Sequence, residues 1–134
     1  MSKNVLIIDD DPDMVLFLSL VLKDHGYCTI EASNGFIGLE KARSGHPDLI
    51  LLDLMMPKKS GISLLSDLKS DDVLKKIPVI MVTGVSGETG IDIKDFFKKG
   101  LTGDREGETQ GPEGYLEKPV DPEELLEMIE KAFV

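Results

Sequence analysis

The run Val5-Leu6-Ile7-Ile8-Asp9-Asp10-Asp11-Pro12 sets the architecture. Apolar residues in unbroken succession, without alternation, predict a strand covered on both faces, as in a parallel sheet. The strand stops at consecutive carboxylates, and Pro12 fits the first turn of a helix capped by Asp11. Met14, Val15, Leu18, Val21 and Leu22 then recur at helical spacing, and Gly26 ends the helix. The same order repeats downstream. Tyr27 to Ala32 reads as a second strand, Ser33-Asn34-Gly35 as a turn, and Phe36 to Arg43 as a short helix weakened by Gly38. Asp48 to Asp53 is a third strand ending on a carboxylate. Pro57 and Gly61 bracket a loop before a helix whose apolar face is Ile62, Leu65 and Leu68. Pro78 to Val82 is the fourth strand, Ile91 to Lys99 the fourth helix and Gly114 to Glu117 the fifth strand. Asp121-Pro122-Glu123-Glu124 opens the last helix, with Asp as its cap and Pro in its first turn.

Strand and helix alternating along the chain imply an α/β fold, a doubly wound five-stranded parallel sheet with helices on both faces. In such sheets ligands sit beyond the carboxyl ends of the strands. A length of 134 residues suits one domain, residues 1–134. The formal net charge of -10 repels phosphate backbones and anionic lipid alike, so neither direct DNA binding nor membrane binding is expected. Cys28 has no second cysteine to pair with, which fits a reducing, cytoplasmic setting, and no run approaches membrane-spanning length.

The polar signals all fall at strand carboxyl ends: Asp9, Asp10 and Asp11 after the first, Asp53 after the third, Thr83 after the fourth and Lys118 after the fifth. Clustered carboxylates repel one another, and burying them unpaired is costly. A hard divalent cation resolves the conflict, and Mg²⁺ suits one or two carboxylates with phosphate oxygens or waters completing its octahedron. Asp11 and Asp121 are better explained as helix caps than as ligands. His25 and His46, at a helix end and in a loop, receive no catalytic role.

VLIIDDDPDM, LILLDLMMPKKSG, VIMVTG and YLEKP, in this order, resemble the motifs of bacterial response-regulator receiver domains of two-component signalling, the CheY-like family. The resemblance spans nearly the whole chain. It implies the flavodoxin-like strand order 2-1-3-4-5, with Asp53 as phosphoacceptor and Asp9, Asp10, Asp53 and the Met55 carbonyl as Mg²⁺ ligands. It further implies that Thr83 is the switch hydroxyl, Tyr115 the switch aromatic and Lys118 the cation that pairs with phosphorylated Asp53. Lys118-Pro119 can adopt cis at small cost. The implied phosphodonor is a sensor histidine kinase or a histidine phosphotransfer protein, and the chain is then a signalling phosphoacceptor, not an enzyme with a turned-over substrate. Because the last predicted helix consumes the chain to Val134, a stand-alone, single-domain type is expected, read out by a separate downstream protein or phosphorelay component.

The chain departs from that pattern between Thr83 and Lys118, where the excess length falls in a stretch rich in glycine. This predicts an insertion around 100–114 between the fourth helix and the fifth strand, tolerable because lengthening a loop costs little. Two other functions compete. Asp9-Asp10-Asp11 has the D-x-D spacing of a haloacid-dehalogenase-type phosphohydrolase, but Asp13 stands where Thr or Val is expected and the chain is too short for a cap domain. A flavodoxin-like electron carrier would need a glycine- and hydroxyl-rich first loop where this chain places carboxylates that repel phosphate.

Overall fold

Each unbroken apolar run proves to be two alternating sets, one for each face of the sheet. In a computed structural model describing residues 3–54, 56, 60–83 and 112–133, the parallel strands β1 (Asn4–Ile8), β2 (Cys28–Ala32), β3 (Leu49–Asp53), β4 (Val79–Thr83) and β5 (Gly114–Glu117) stand in the order β2-β1-β3-β4-β5. The expected order is therefore the observed one. Leu6, Ile8, Ile50, Leu52, Val79 and Met81 face one core, with Leu64, Leu65 and Leu68 of α3 (Gly61–Ser70) and Ala42 of α2 (Gly35–Gly45). Val5, Ile7, Leu49, Leu51, Ile80 and Val82 face the other, with Leu18 and Leu22 of α1 (Pro12–Asp24) and Leu125 and Ile129 of α4 (Pro122–Ala132). Successive side chains in a strand point to opposite faces, so a strand roofed by helices on both sides must be apolar throughout. Truncating any of these buried leucines or isoleucines to alanine should cost about 2–5 kcal/mol.

Side-chain caps start the helices. Asp11 Oδ1 accepts from the Asp13 amide at 3.0 Å, Asn34 Oδ1 from Ile37 at 2.9 Å, Ser60 Oγ from Ser63 at 3.1 Å and Asp121 Oδ1 from Glu123 at 3.0 Å. Each offsets one amide that the first turn would leave unbonded. Asp11 and Asp121 are thus the caps expected of them. Asn34, read as part of a turn, instead caps α2.

Two glycines differ from their sequence reading for a shared reason. A Cβ on Gly38 would lie 2.6 Å from Ile8 Cδ1, so the residue that lowers helix propensity is the one that lets α2 settle on β1. A Cβ on Gly61 would lie 2.2 Å from the Asp53 carbonyl oxygen. Gly61 therefore does not close a loop; it is the first residue of α3, set flush against the end of β3, and its amide donates to Leu54 O at 3.0 Å. A 3-10 turn at Leu74–Lys76 before β4 was not anticipated. Asp71 Oδ1 accepts from the Val73 and Leu74 amides there, and these bonds hold its carboxyl below the usual range. The expected helix over 91–99 and most of the expected insertion around 100–114 lie outside the described residues.

Candidate functional site

The carboxyl edge of the sheet gathers side chains that the sequence spreads over more than a hundred positions. Parallel pairing of β1 with β3, Ile8 opposite Leu52, brings the residues after each strand side by side. Pairing of β3 with β4 and of β4 with β5 adds Thr83 and Glu117 to the same edge. Asp9, Asp53 and Thr83 are all buried, and Asp10 is exposed.

Asp9, Asp10 and Asp53 each offer a carboxylate oxygen, and these atoms lie within 4.8 Å of one another. At that spacing two carboxylates repel by about 3 kcal/mol at an effective dielectric of about 20. Lys118 offsets part of the repulsion: its Nζ is 3.4 Å from Asp9 Oδ2 and 3.5 Å from Asp53 Oδ1. Burial alone would lower the Lys118 pKa, but the charges of Asp53 and Asp9 prevail and raise it above the ordinary lysine value. Lys118 is consequently an ammonium at neutral pH.

The loop after β1 holds its own shape. Asp9 Oδ1 accepts from the Asp11 amide at 2.9 Å, whereas Asp9 Oδ2 is buried without a hydrogen-bond partner. A buried carboxylate oxygen without a hydrogen bond is costly, and the Lys118 ammonium at 3.4 Å offsets only part of that cost. The donor set, carboxylate oxygens of which one is buried without a hydrogen bond, fits a hard divalent cation.

Lys118 is carried here by β5. The Lys118 amide donates to Thr83 O at 2.7 Å, and the Lys118-Pro119 peptide is cis. Tyr115 lies opposite Met81 in the β4–β5 register, half-buried against the core under α2 and α3, and burial raises its pKa. Thus Asp9, Asp10, Asp53 and Lys118 come together, Thr83 closes the same edge, and Tyr115 stands on β5, with β4 between it and the strand that ends in Asp53. Met55 lies outside the described residues.

One cluster escaped the sequence reading. Lys69 Nζ bonds both carboxylate oxygens of Glu113, at 3.0 and 3.1 Å, at the amino end of the sheet. A signal was present: Lys69 follows Leu65 by one helical repeat and so falls on the buried stripe of α3.

Among known proteins, the family described as the response regulator receiver domain matches residues 5–130. The polar-differentiation response regulator DivK of Brucella ovis is 37% identical over 131 residues, covering 96% of this chain and 94% of that protein. Protein PilH of Pseudomonas aeruginosa is 37% identical over 125 residues, covering 93% of each. The solved structure of chemotaxis protein CheY4 of Vibrio cholerae superposes with a TM-score of 0.81 at 28% identity, covering 98% of this chain and 99% of that one.

Proposed function

The chain belongs to the response regulator receiver family of two-component signalling, and from that premise we propose that it is a switch phosphorylated on Asp53. The donor in this reading is the phosphohistidine of a sensor histidine kinase or a histidine phosphotransfer protein. The observation that carries the proposal is the convergence of buried Asp53 with Asp9 and Asp10 within 4.8 Å and with the Lys118 ammonium at 3.5 Å.

Asp9, Asp10 and Asp53, with the backbone carbonyl of Met55, would hold Mg²⁺. When bound, the ion supplies positive charge that lets a carboxylate approach a phosphoryl group. An Asp53 carboxylate oxygen then bonds to phosphorus as the P–N bond breaks. The imidazole, protonated on its other nitrogen, leaves as the neutral base with the electron pair of the broken bond. Lys118 pairs with the charge that accumulates on the phosphoryl oxygens, a role its raised pKa supports. Thr83 donates its hydroxyl to the acyl phosphate, and Tyr115 repacks in response, which converts a local charge change into an altered surface.

The chain is thus a phosphoacceptor that catalyses only its own phosphorylation and dephosphorylation. A separate protein or phosphorelay component reads its state, with the segment around 100–114 as an insertion that diversifies the surface before β5. A cytoplasmic location suits this role, and among the described residues no helix is long and apolar enough to cross a membrane.

Incubation with acetyl phosphate and Mg²⁺, followed by intact-protein mass spectrometry, tests the assignment. Wild type should gain one phosphoryl group and Asp53→Asn none. A modification that persists in Asp53→Asn and disappears in Asp9→Asn would replace the switch with the phosphohydrolase reading.

A further inference from the structure

Glu113 immediately precedes β5 and engages both backbone groups of Val79, the first residue of β4. Its amide donates to Val79 O at 2.7 Å, and its Oε1 accepts from the Val79 amide at 2.6 Å. The same carboxylate binds Lys69 Nζ through both oxygens. The Lys69 side chain is 5% exposed, and its ammonium otherwise has Ile77 O at 3.5 Å. One side chain therefore ties the end of α3, the start of β4 and the entry to β5.

We propose that Lys69 and Glu113 are positioning residues that lock the register of β5 on β4 and so hold Lys118 against Asp53 and Asp9 at the far end of the strand. This rests on the role proposed above for Lys118. The strand in need of a lock is β5, a four-residue edge strand that follows a long glycine-rich stretch. A slip of one residue would turn each of its side chains to the opposite face.

The separation suits transmission through a strand. Glu113 and Lys118 are roughly 16 Å apart along extended chain, and the β4–β5 pair is bonded at both limits, by Glu113 to Val79 and by Lys118 N to Thr83 O. The entry to β5 is also seated from the other face: a Cβ on Gly114 would lie 2.5 Å from Met128 Sδ of α4. Displacing a reacting group by about 1 Å can cost about a hundredfold in rate.

The test uses the full chain. Glu113→Ala should slow phosphorylation by acetyl phosphate by about tenfold to a hundredfold. It should also speed hydrogen exchange at the Lys118 amide, while calorimetric Mg²⁺ affinity stays within about twofold because Asp9, Asp10 and Asp53 are held by β1 and β3 rather than by β5. Glu113→Ala also strands a buried ammonium, so Lys69→Met/Glu113→Leu, which replaces the ion pair with apolar packing, separates stability from register. The double variant should recover the part of the thermal midpoint lost to the stranded ammonium, though not the part owed to the Val79 amide, and stay slow and exchange-labile. Wild-type rate and exchange in either variant would overturn the lock, as would recovery of rate together with stability in the double variant. If wild type is not phosphorylated on Asp53, the switch reading fails instead, and exchange at Lys118 alone decides the lock.

Discussion

Two lysine–carboxylate clusters stand at opposite ends of the same sheet, and they are built to opposite specifications. At the amino edge, Lys69 meets both oxygens of one carboxylate at 3.0 and 3.1 Å, and that carboxylate also accepts a backbone amide. Charges match one to one, and the cluster lacks nothing. At the carboxyl edge, Lys118 is 25% exposed on its side chain and sits 3.4 and 3.5 Å from Asp9 and Asp53, to which Asp10 adds a third carboxylate. Asp9 Oδ2 is buried there without a hydrogen bond. The amino-edge cluster is a fastener. Among the described residues the carboxyl-edge cluster keeps an excess of negative charge that a bound cation would relieve, and the difference between them separates architecture from chemistry.

Substitutions and ligands should act differently on the two ends of the sheet. The largest effect is expected at Gly61, which backs the functional end. Gly61→Ala would force a methyl group to within 2.2 Å of the Asp53 carbonyl oxygen. Backbone must then move, at about 3 kcal/mol in urea denaturation, with phosphorylation of Asp53 falling alongside. A variant of unchanged stability would mean that α3 can shift without disturbing β3.

Mg²⁺ should distinguish the two clusters most directly. At a hundred times its Kd, the ion should stabilise the wild type by about 2.7 kcal/mol. Asp9→Ala should abolish that gain, and Lys69→Met should retain it. Differential scanning calorimetry with and without Mg²⁺ reads both, and a gain that survives Asp9→Ala would move the metal away from this edge.

The smallest effect concerns alkaline pH. Burial raises the Tyr115 pKa, and burial with help from Glu130 raises that of Tyr27. A pKa raised in the folded state means that the unfolded chain loses its proton first. The contribution to stability is therefore complete below the ordinary tyrosine value of 10.0 and is lost as pH rises through the folded value. The difference between wild type and Tyr115→Phe in denaturant midpoint should be flat up to about pH 9 and then shift in favour of the phenylalanine variant. A difference that stays flat beyond pH 11 would show that Tyr115 is solvated as freely in the folded chain as in the unfolded one.

Much of this was legible in the chain itself. The order of strands followed from short apolar runs bounded by turn and helix-start signals, two of them ending on carboxylates, and Asp11 and Asp121 declared themselves as caps because Pro follows each directly. Glycine was harder to read. Gly38 looks like a defect in a helix and Gly61 like part of a loop, because propensity describes one residue and its neighbours, whereas both glycines answer to a backbone or side chain from another element. Lys69 was missed for a related reason: a lysine near a helix end is normally solvated, and its partner Glu113 lies 44 positions away.

The features readable along the chain are local: hydrophobic period, the Asp11 and Asp121 caps, and the placing of Asp9, Asp10, Asp53, Thr83 and Lys118 at strand ends, since each depends on residues a few positions apart. Distance, by contrast, is a product of tertiary packing. Parallel pairing brings Asp53 to Lys118 at 3.5 Å, leaves Asp9 Oδ2 buried without a hydrogen bond, and closes Lys69 on Glu113. Register and the crossing of helices over the sheet set those separations, and both are settled only when the whole core packs at once.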